Sequence, residues 1–143
     1  MIRLRLVAAC VPLLLAAGCL AAPTDVTPTS VIVRGSWNYS SVQAGGLTTT
    51  SGTLTLSQDS TVRFTGTLDA NEQDSHGQIY RIAAVISGHT IDESLVEFDL
   101  VVNPTNTRRH SGVVSGDSLI GTWVQLSDVG VAASGTFRAM RIK

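Results

Sequence analysis

Three neighbouring residues in the middle of the chain have the types found in a hydrolytic triad: Asp74, Ser75 and His76. Such triads are defined by spatial geometry, and adjacent residues of one loop rarely point at one another. The sequence also lacks the Gly-x-Ser-x-Gly turn that presents a nucleophilic serine in many hydrolases. We therefore predict a polar loop here, no catalytic residues, and a protein that is not an enzyme.

The segment Asp69–Asp74 carries oxygen-bearing side chains at alternate positions, as calcium-binding loops do. Those loops also need a glycine at the sixth position and a glutamate at the twelfth, where this sequence has Asp74 and Tyr80. Three histidines lie in separate predicted elements, without the spacing of metal ligands, and are expected to be solvated: His76, His89 and His110. The sequence therefore predicts no metal site and no cofactor.

A cluster of basic residues, Arg108-Arg109-His110, lies on one predicted strand. Because side chains alternate along a strand, Arg108 and His110 share a face. The cluster is either a site for an anion or lipid head group or a set of surface ion pairs with the preceding strand, and we favour the ion pairs. The acidic residues available there are Glu93, Glu97 and Asp99. Because the sequence contains no extended stripe of basic residues, nucleic acid is not an expected partner.

These residues must be positioned by β-strands, because apolar and polar residues alternate along most of the chain after residue 30. We predict eight strands, at 31–40, 53–57, 61–68, 79–87, 91–102, 107–115, 119–127 and 133–142, with loops at 43–51 and 69–78. Short connections favour antiparallel neighbours. The prediction is an all-β fold, an eight-stranded antiparallel up-and-down barrel in which closure removes exposed strand edges, and a β-sandwich is the alternative.

Large apolar residues on one phase of the strands are predicted to point into the barrel: Trp37, Tyr39, Leu54, Leu56, Phe64, Phe98, Trp123 and Phe137. A barrel of this size can hold one small apolar ligand, and the predicted lining residues are Tyr39, Phe64, Phe98 and Trp123. Eight strands also enclose little more room than their own side chains can fill. A structural or interaction protein with a filled core therefore remains the alternative.

The tripeptide Gly35-Ser36-Trp37 on the first predicted strand is similar to the Gly-x-Trp signature of the calycins, which include lipocalins, fatty-acid-binding proteins and avidins. The resemblance implies that Trp37 plugs the closed end of a barrel and that an arginine of the last strand packs across it. Arg141 shares the phase of Phe137 and is expected to be that arginine. The chain has only two tryptophans, too few for the biotin site of avidins.

The N-terminal segment has the layout of an export signal. Arg3 and Arg5 precede the apolar run Leu6–Ala17, which is too short to span a bilayer, and small residues then lead to Cys19. This resembles the bacterial lipoprotein signal, which implies that residues 1–18 are removed and that Cys19 is acylated. An ordinary secretory signal, cut two or three residues after the cysteine, is the alternative.

These boundaries divide the chain into a signal peptide at 1–18, a lipidated cysteine with a flexible linker at 19–30, and a barrel domain at 31–143. Leu20 in the position after Cys19 favours export to the outer membrane among the lipoproteins that this chain resembles. Without its signal the chain keeps 8 Lys+Arg and 11 Asp+Glu, a formal net charge of −3, and no free thiol. We expect a protein of the bacterial cell envelope, anchored to the membrane by lipid, that binds a small apolar ligand or, alternatively, another envelope protein.

Overall fold

The computed structural model describes residues 31–143, which form one closed antiparallel barrel. Its strands, in chain order, are β1 (Gly35–Gln43), β2 (Thr48–Gln58), β3 (Arg63–Asp74), β4 (Ile79–Thr90), β5 (Leu95–Asn103), β6 (Asn106–Ser115), β7 (Ser118–Ser127) and β8 (Gly130–Arg141). Each strand pairs with the next, and β8 pairs with β1 to close the barrel. The predicted eight-stranded up-and-down barrel is confirmed, and the sandwich alternative is wrong.

Two predicted loops are largely strand. The loop predicted at 69–78 shrinks because β3 continues to Asp74, and the loop predicted at 43–51 shrinks because β2 already begins at Thr48. The acidic and amide residues of 69–74 have low strand propensity, but this segment is hydrogen-bonded to the threonine-rich start of β2 in the β2–β3 ladder. Strand propensity depends strongly on such context, so pairing overrides the local signal.

Two strands begin four residues later than predicted, at Gly35 and Leu95. Before Leu95, the Asp92 carboxylate accepts hydrogen bonds from the backbone N–H groups of Ser94 and Leu95, at 2.8 and 2.7 Å, and so holds a turn. Before Gly35, residues 31–34 leave the barrel wall and cross one end of it. Within residues 31–143, no helix has the length and apolarity needed to cross a bilayer.

The barrel interior is a packed apolar core. All eight residues predicted to point inward are buried. Glycines make room for the largest rings, since a Cβ at Gly88 would lie 2.4 Å from the ring of Phe64 and one at Gly135 would lie 2.7 Å from the indole of Trp123. Strand glycines at these positions therefore let neighbouring rings lie flat inside a narrow barrel.

One end of the barrel is closed by residues 31–34. Val33 is fully buried, and its carbonyl accepts a hydrogen bond from Trp37 Nε1 at 2.9 Å. The guanidinium of Arg141 lies 4.2 Å from the centroid of the Trp37 ring and donates hydrogen bonds to two carbonyls of the same segment. We call this the closed end. The opposite, open end carries the β1–β2, β3–β4, β5–β6 and β7–β8 connections.

Candidate ligand-binding site

The inward face of the barrel changes from apolar to charged at the open end. Arg108, near the start of β6, and Glu72, near the end of β3, form an ion pair with 2.7 Å between Nη2 and Oε2. The Thr50 hydroxyl, near the start of β2, donates to the same carboxylate oxygen at 3.0 Å. The side chains of Arg108 and Glu72 are only 8% and 19% exposed, so this charge pair is largely withdrawn from water.

Trp123 lies beside this pair on β7. The Arg108 guanidinium carbon is 5.2 Å from the centroid of its ring, within the range of a cation–π contact. Among residues 31–143, three buried polar atoms of this region find no hydrogen-bond partner: Arg108 Nε, Trp123 Nε1 and Asn106 Oδ1. Buried polar groups are nearly always paired, so three unpaired atoms on two adjacent strands mark a site that requires an explanation.

Apolar side chains surround the charged pair at the same level. Ile82 of β4, Val102 of β5 and Ala133 of β8 point inward near the open end, and each is half-buried and packed against the core. Together with Arg108, Glu72, Thr50, Asn106 and Trp123 they form what we call the mouth. A few convergent polar groups framed by apolar side chains are the usual composition of a small-molecule site.

A cluster of stacked rings lies beneath the mouth. The Phe98 and His110 rings are stacked with centroids 4.5 Å apart, and the Phe137 ring meets His110 edge-on at 4.9 Å. Tyr39 stacks on Phe137 at 6.0 Å, and Phe64 meets Phe98 at 6.2 Å. Tyr39, Phe98, His110 and Phe137 lie below the mouth as its floor, and Phe64, near the start of β3, extends the cluster toward the closed end.

His110 is held as a neutral ring inside this cluster. Its Nδ1 lies 3.0 Å from the carbonyl oxygen of Arg108, so Nδ1 must carry the proton and donate it. Nε2 is then an acceptor, and the Tyr39 hydroxyl donates to it at 2.9 Å. Burial lowers the pKa of His110 to about 4 and raises the pKa of Tyr39 to about 12. Neither group changes protonation near neutral pH.

The structure corrects the interpretation of the basic cluster. Arg109, whose side chain points outward, makes the surface ion pair with Asp99, with 3.0 Å between Nε and Oδ1. Arg108 and His110 face the interior, and His110 is fully buried instead of solvated. The phase shared by Arg108 and His110 was visible in the sequence, but which face points inward depends on the register of β6 between β5 and β7.

Two other segments with candidate chemistry have structural roles. The Asp74 carboxylate accepts hydrogen bonds from the backbone N–H groups of His76 and Gln78, both at 2.9 Å, and so shapes the β3–β4 turn. Asp69–Asp74 lies on β3, where successive side chains point to opposite faces and cannot converge on a calcium ion. In the part of the chain that the structure describes, no three His, Cys, Asp or Glu side chains are grouped as metal ligands.

The predicted ligand-lining residues separate into two groups. Trp123 belongs to the mouth, and Tyr39 lies just beneath it through its bond to His110. Phe64 and Phe98 are fully packed in the ring cluster, with 1% and 3% of their surface exposed. Cys19 and the linker lie outside the described residues.

Several mouth residues were missed by sequence reasoning. Glu72 and Thr50 fall in segments predicted to be loops, so their inward phase could not be read. Arg108 was noticed, but charged residues are seldom buried and the surface is the natural expectation. A detectable signal was the position of Glu72 two residues after Ala70 and four after Leu68, in the same strand phase.

Comparison with known proteins identifies the fold of the chain but not a protein family. No family model and no curated protein matches the chain. Several solved structures share the barrel, among them the following three. The protein EF1p2_mFAP2b bound to DFHBI is 16% identical over 76% of this chain and 93% of its own, with a TM-score of 0.59. A de novo designed fluorescence-activating barrel is 14% identical over 76% and 93%, with a TM-score of 0.56.

The third is the S-type phycobiliprotein lyase CPES from Guillardia theta, which is 9% identical over 78% of this chain and 89% of its own, with a TM-score of 0.50. At such low identity these similarities show the fold alone. The chain has the calycin-like barrel fold, a closed antiparallel barrel of eight strands.

Proposed function

We propose that this protein binds a small, largely apolar molecule at the mouth of its barrel, and that it does so as a lipoprotein of the bacterial cell envelope. The observation that carries the proposal is the charged pair Arg108–Glu72, withdrawn from water on the inward face and framed by half-buried apolar side chains. One of the similar barrels is bound to DFHBI and another is a designed fluorescence-activating barrel, which supports this use of the fold.

Stability of the barrel alone does not account for the buried ion pair. Desolvation of two charges offsets much of their attraction, and replacing such pairs by apolar residues is often neutral or stabilising. The opposite half of the interior is filled with apolar residues such as Trp37 and Leu54, so the fold can do without buried charges. A binding role explains why charges occupy the open end.

The ring cluster supports a ligand position at the mouth and not at the centre of the barrel. Phe64, Phe98 and Phe137 are fully packed against one another and against glycine backbones. Opening space among them would forfeit close-packed contacts. In this proposal Trp123 contacts the ligand, Tyr39 supports the floor through His110, Phe98 is part of the floor, and Phe64 packs behind Phe98.

The test is recovery of a bound molecule from the lipoprotein purified gently from its host membrane. Val102→Trp fills the mouth from the inward face of β5, whereas Val101→Trp places the same ring on the outer face and is the matched control. We expect a small organic molecule, detected by mass spectrometry after solvent extraction, with the wild type and Val101→Trp but not with Val102→Trp. Equal recovery from all three proteins would contradict a ligand at the mouth.

The lipid anchor is the second part of the proposal. Metabolic labelling with palmitate should label the wild type and not Cys19→Ser, and fractionation should place the wild type with the outer membrane. Residues 31–34, which follow the proposed linker in the sequence, enter the domain at the closed end. Label that persists in Cys19→Ser would contradict acylation at this residue.

A protein-binding role is the alternative, and the outer wall favours it at one place. The β4–β5 ladder stops at Val85 and Val101, and a groove of about 530 Å³ lies over the gap. Val85 is 65% exposed on its rim. If no small molecule is recovered from the wild type, an envelope protein bound along this groove becomes the better explanation.

A further inference from the structure

We infer that the ligand held at the mouth carries an uncharged carbonyl group, of the ketone or carboxamide class, on an apolar ring system. The inference rests on the proposed function and names the chemistry that the mouth selects. It follows from the types of the unpaired polar atoms, the charge already present beside them and the side chains that frame them.

Two of the three unpaired atoms are donors. Arg108 Nε and Trp123 Nε1 each carry one N–H, and their residues are only 6% and 2% exposed. The arginine lies over the tryptophan ring, with 5.2 Å between its guanidinium carbon and the ring centroid, so the two side chains are neighbours in the mouth. A buried donor without an acceptor is destabilising, and a ligand oxygen would relieve it.

The charge at the mouth argues against a carboxylate ligand. Glu72 already neutralises Arg108 through a 2.7 Å contact and is held there by Thr50. A second carboxylate would lie close to Glu72 in a region of low dielectric, where like charges repel strongly. A carbonyl oxygen satisfies the donors without adding charge.

The third unpaired atom, Asn106 Oδ1, is an acceptor on the same inward face of β6, two residues from Arg108. A carboxamide would offer it an N–H while its carbonyl accepts from the donors. Ile82, Val102 and Ala133 are apolar and half-buried around this group, and they suit a flat hydrocarbon body. The combination favours a neutral amide or ketone on a ring over a sugar, a phosphate or a fatty acid.

The test uses three probes with the same ring: 2-naphthamide, 2-naphthoate and 2-isopropylnaphthalene. They share size and shape but carry a neutral carbonyl, a negative charge and no polar group. Binding to the intact lipoprotein in detergent is measured by calorimetry and by the two indole N–H signals in an ¹H–¹⁵N spectrum. The N–H of Trp37 already donates to Val33 and serves as an internal control.

We expect 2-naphthamide to bind at least tenfold more tightly than either other probe and to shift the Trp123 indole signal downfield while that of Trp37 stays in place. Trp123→Phe keeps a ring but removes the N–H, and should reduce the preference for 2-naphthamide over 2-isopropylnaphthalene to less than threefold. The spectrum of the wild type tests the inference even if this variant does not fold.

The outcomes separate the inference from the proposed function. Equal affinity for 2-naphthamide and 2-isopropylnaphthalene, or tighter binding of 2-naphthoate, would overturn the neutral carbonyl and leave a ligand-binding mouth intact. If all three probes fail to bind while extraction recovers a natural ligand that lacks a carbonyl, the inference alone is wrong. If nothing binds and nothing is extracted, the proposed function itself fails.

Discussion

The buried His110 should make the stability of the barrel fall as the pH drops below neutral. Its ring is neutral in the folded protein, enclosed by Phe98 and Phe137, and hydrogen-bonded on both nitrogens. Protonation would place a charge in the core and would cancel the acceptor that receives the Tyr39 hydroxyl. The experiment therefore lowers the pH and compares the loss of stability in the wild type with the loss in a variant that lacks the His110 imidazole.

The magnitude follows from the two pKa values of His110. Its ordinary value is 6.5, and burial lowers the pKa in the folded protein to about 4. Because the unfolded chain takes up the proton first, the free energy of unfolding is unaffected above pH 6.5, falls between pH 6.5 and pH 4, and becomes constant with respect to this group below pH 4. At about 1.4 kcal/mol for each pH unit between the two values, and allowing for partial protonation near each pKa, His110 should remove about 2.4 kcal/mol between pH 7 and pH 4.5.

Urea denaturation at both pH values, followed by tryptophan fluorescence, measures this loss. The double variant Tyr39→Phe/His110→Phe keeps the stacked rings and removes the titrating group together with its hydrogen-bond partner, so its loss should be smaller than that of the wild type by about 2.4 kcal/mol. The control is His89→Gln, because His89 is exposed and its removal should leave the wild-type loss unchanged. A double variant that loses as much stability as the wild type would refute the assignment of a neutral, buried His110.

Three further variants test the parts of the barrel that hold the site. Arg141→Met should lower the free energy of unfolding by about 2 kcal/mol in urea titrations, since it removes two hydrogen bonds and the cation on Trp37. Gly121→Ala should cost about 3 kcal/mol in the same assay, because its Cβ would meet a backbone carbonyl oxygen of β6. Glu72→Gln should cost about 3 kcal/mol by leaving Arg108 without a counter-charge, and adding Arg108→Met should recover most of that loss.

Each of these three predictions can be contradicted by a specific result. Arg141→Lys keeps the positive charge but not the planar guanidinium. Full stability in that variant would mean that the guanidinium hydrogen bonds to residues 31–34 contribute nothing to the free energy of unfolding. Thr122→Ala, on the outer face beside Gly121, should change stability by less than about 0.5 kcal/mol. If the effects of the Glu72 and Arg108 changes on the free energy of unfolding simply add, the two side chains are not energetically coupled.

The fold was readable from the chain because its signals are local. Apolar residues at every second position reveal strands, and short polar breaks between them indicate antiparallel neighbours. Trp37 and Phe64 could be assigned to the core from phase alone, and both are buried. Strand ends were less readable, because Asp69–Asp74 looks like a loop until its partner strand is known.

The mouth depends on contacts between residues that are distant in the sequence. Glu72 and Arg108 come from strands that are not neighbours in the barrel, and their contact exists only because closure brings β3 and β6 across from each other. The inward direction of Arg108 and His110 is likewise set by register, since a shift of one residue would turn both outward. Local pattern therefore determined an all-β fold with an aromatic core and favoured a barrel, while closure itself was shown only by the pairing of β8 with β1. Tertiary structure alone decided where charge enters that core, because charge burial is governed by which side chains closure brings face to face.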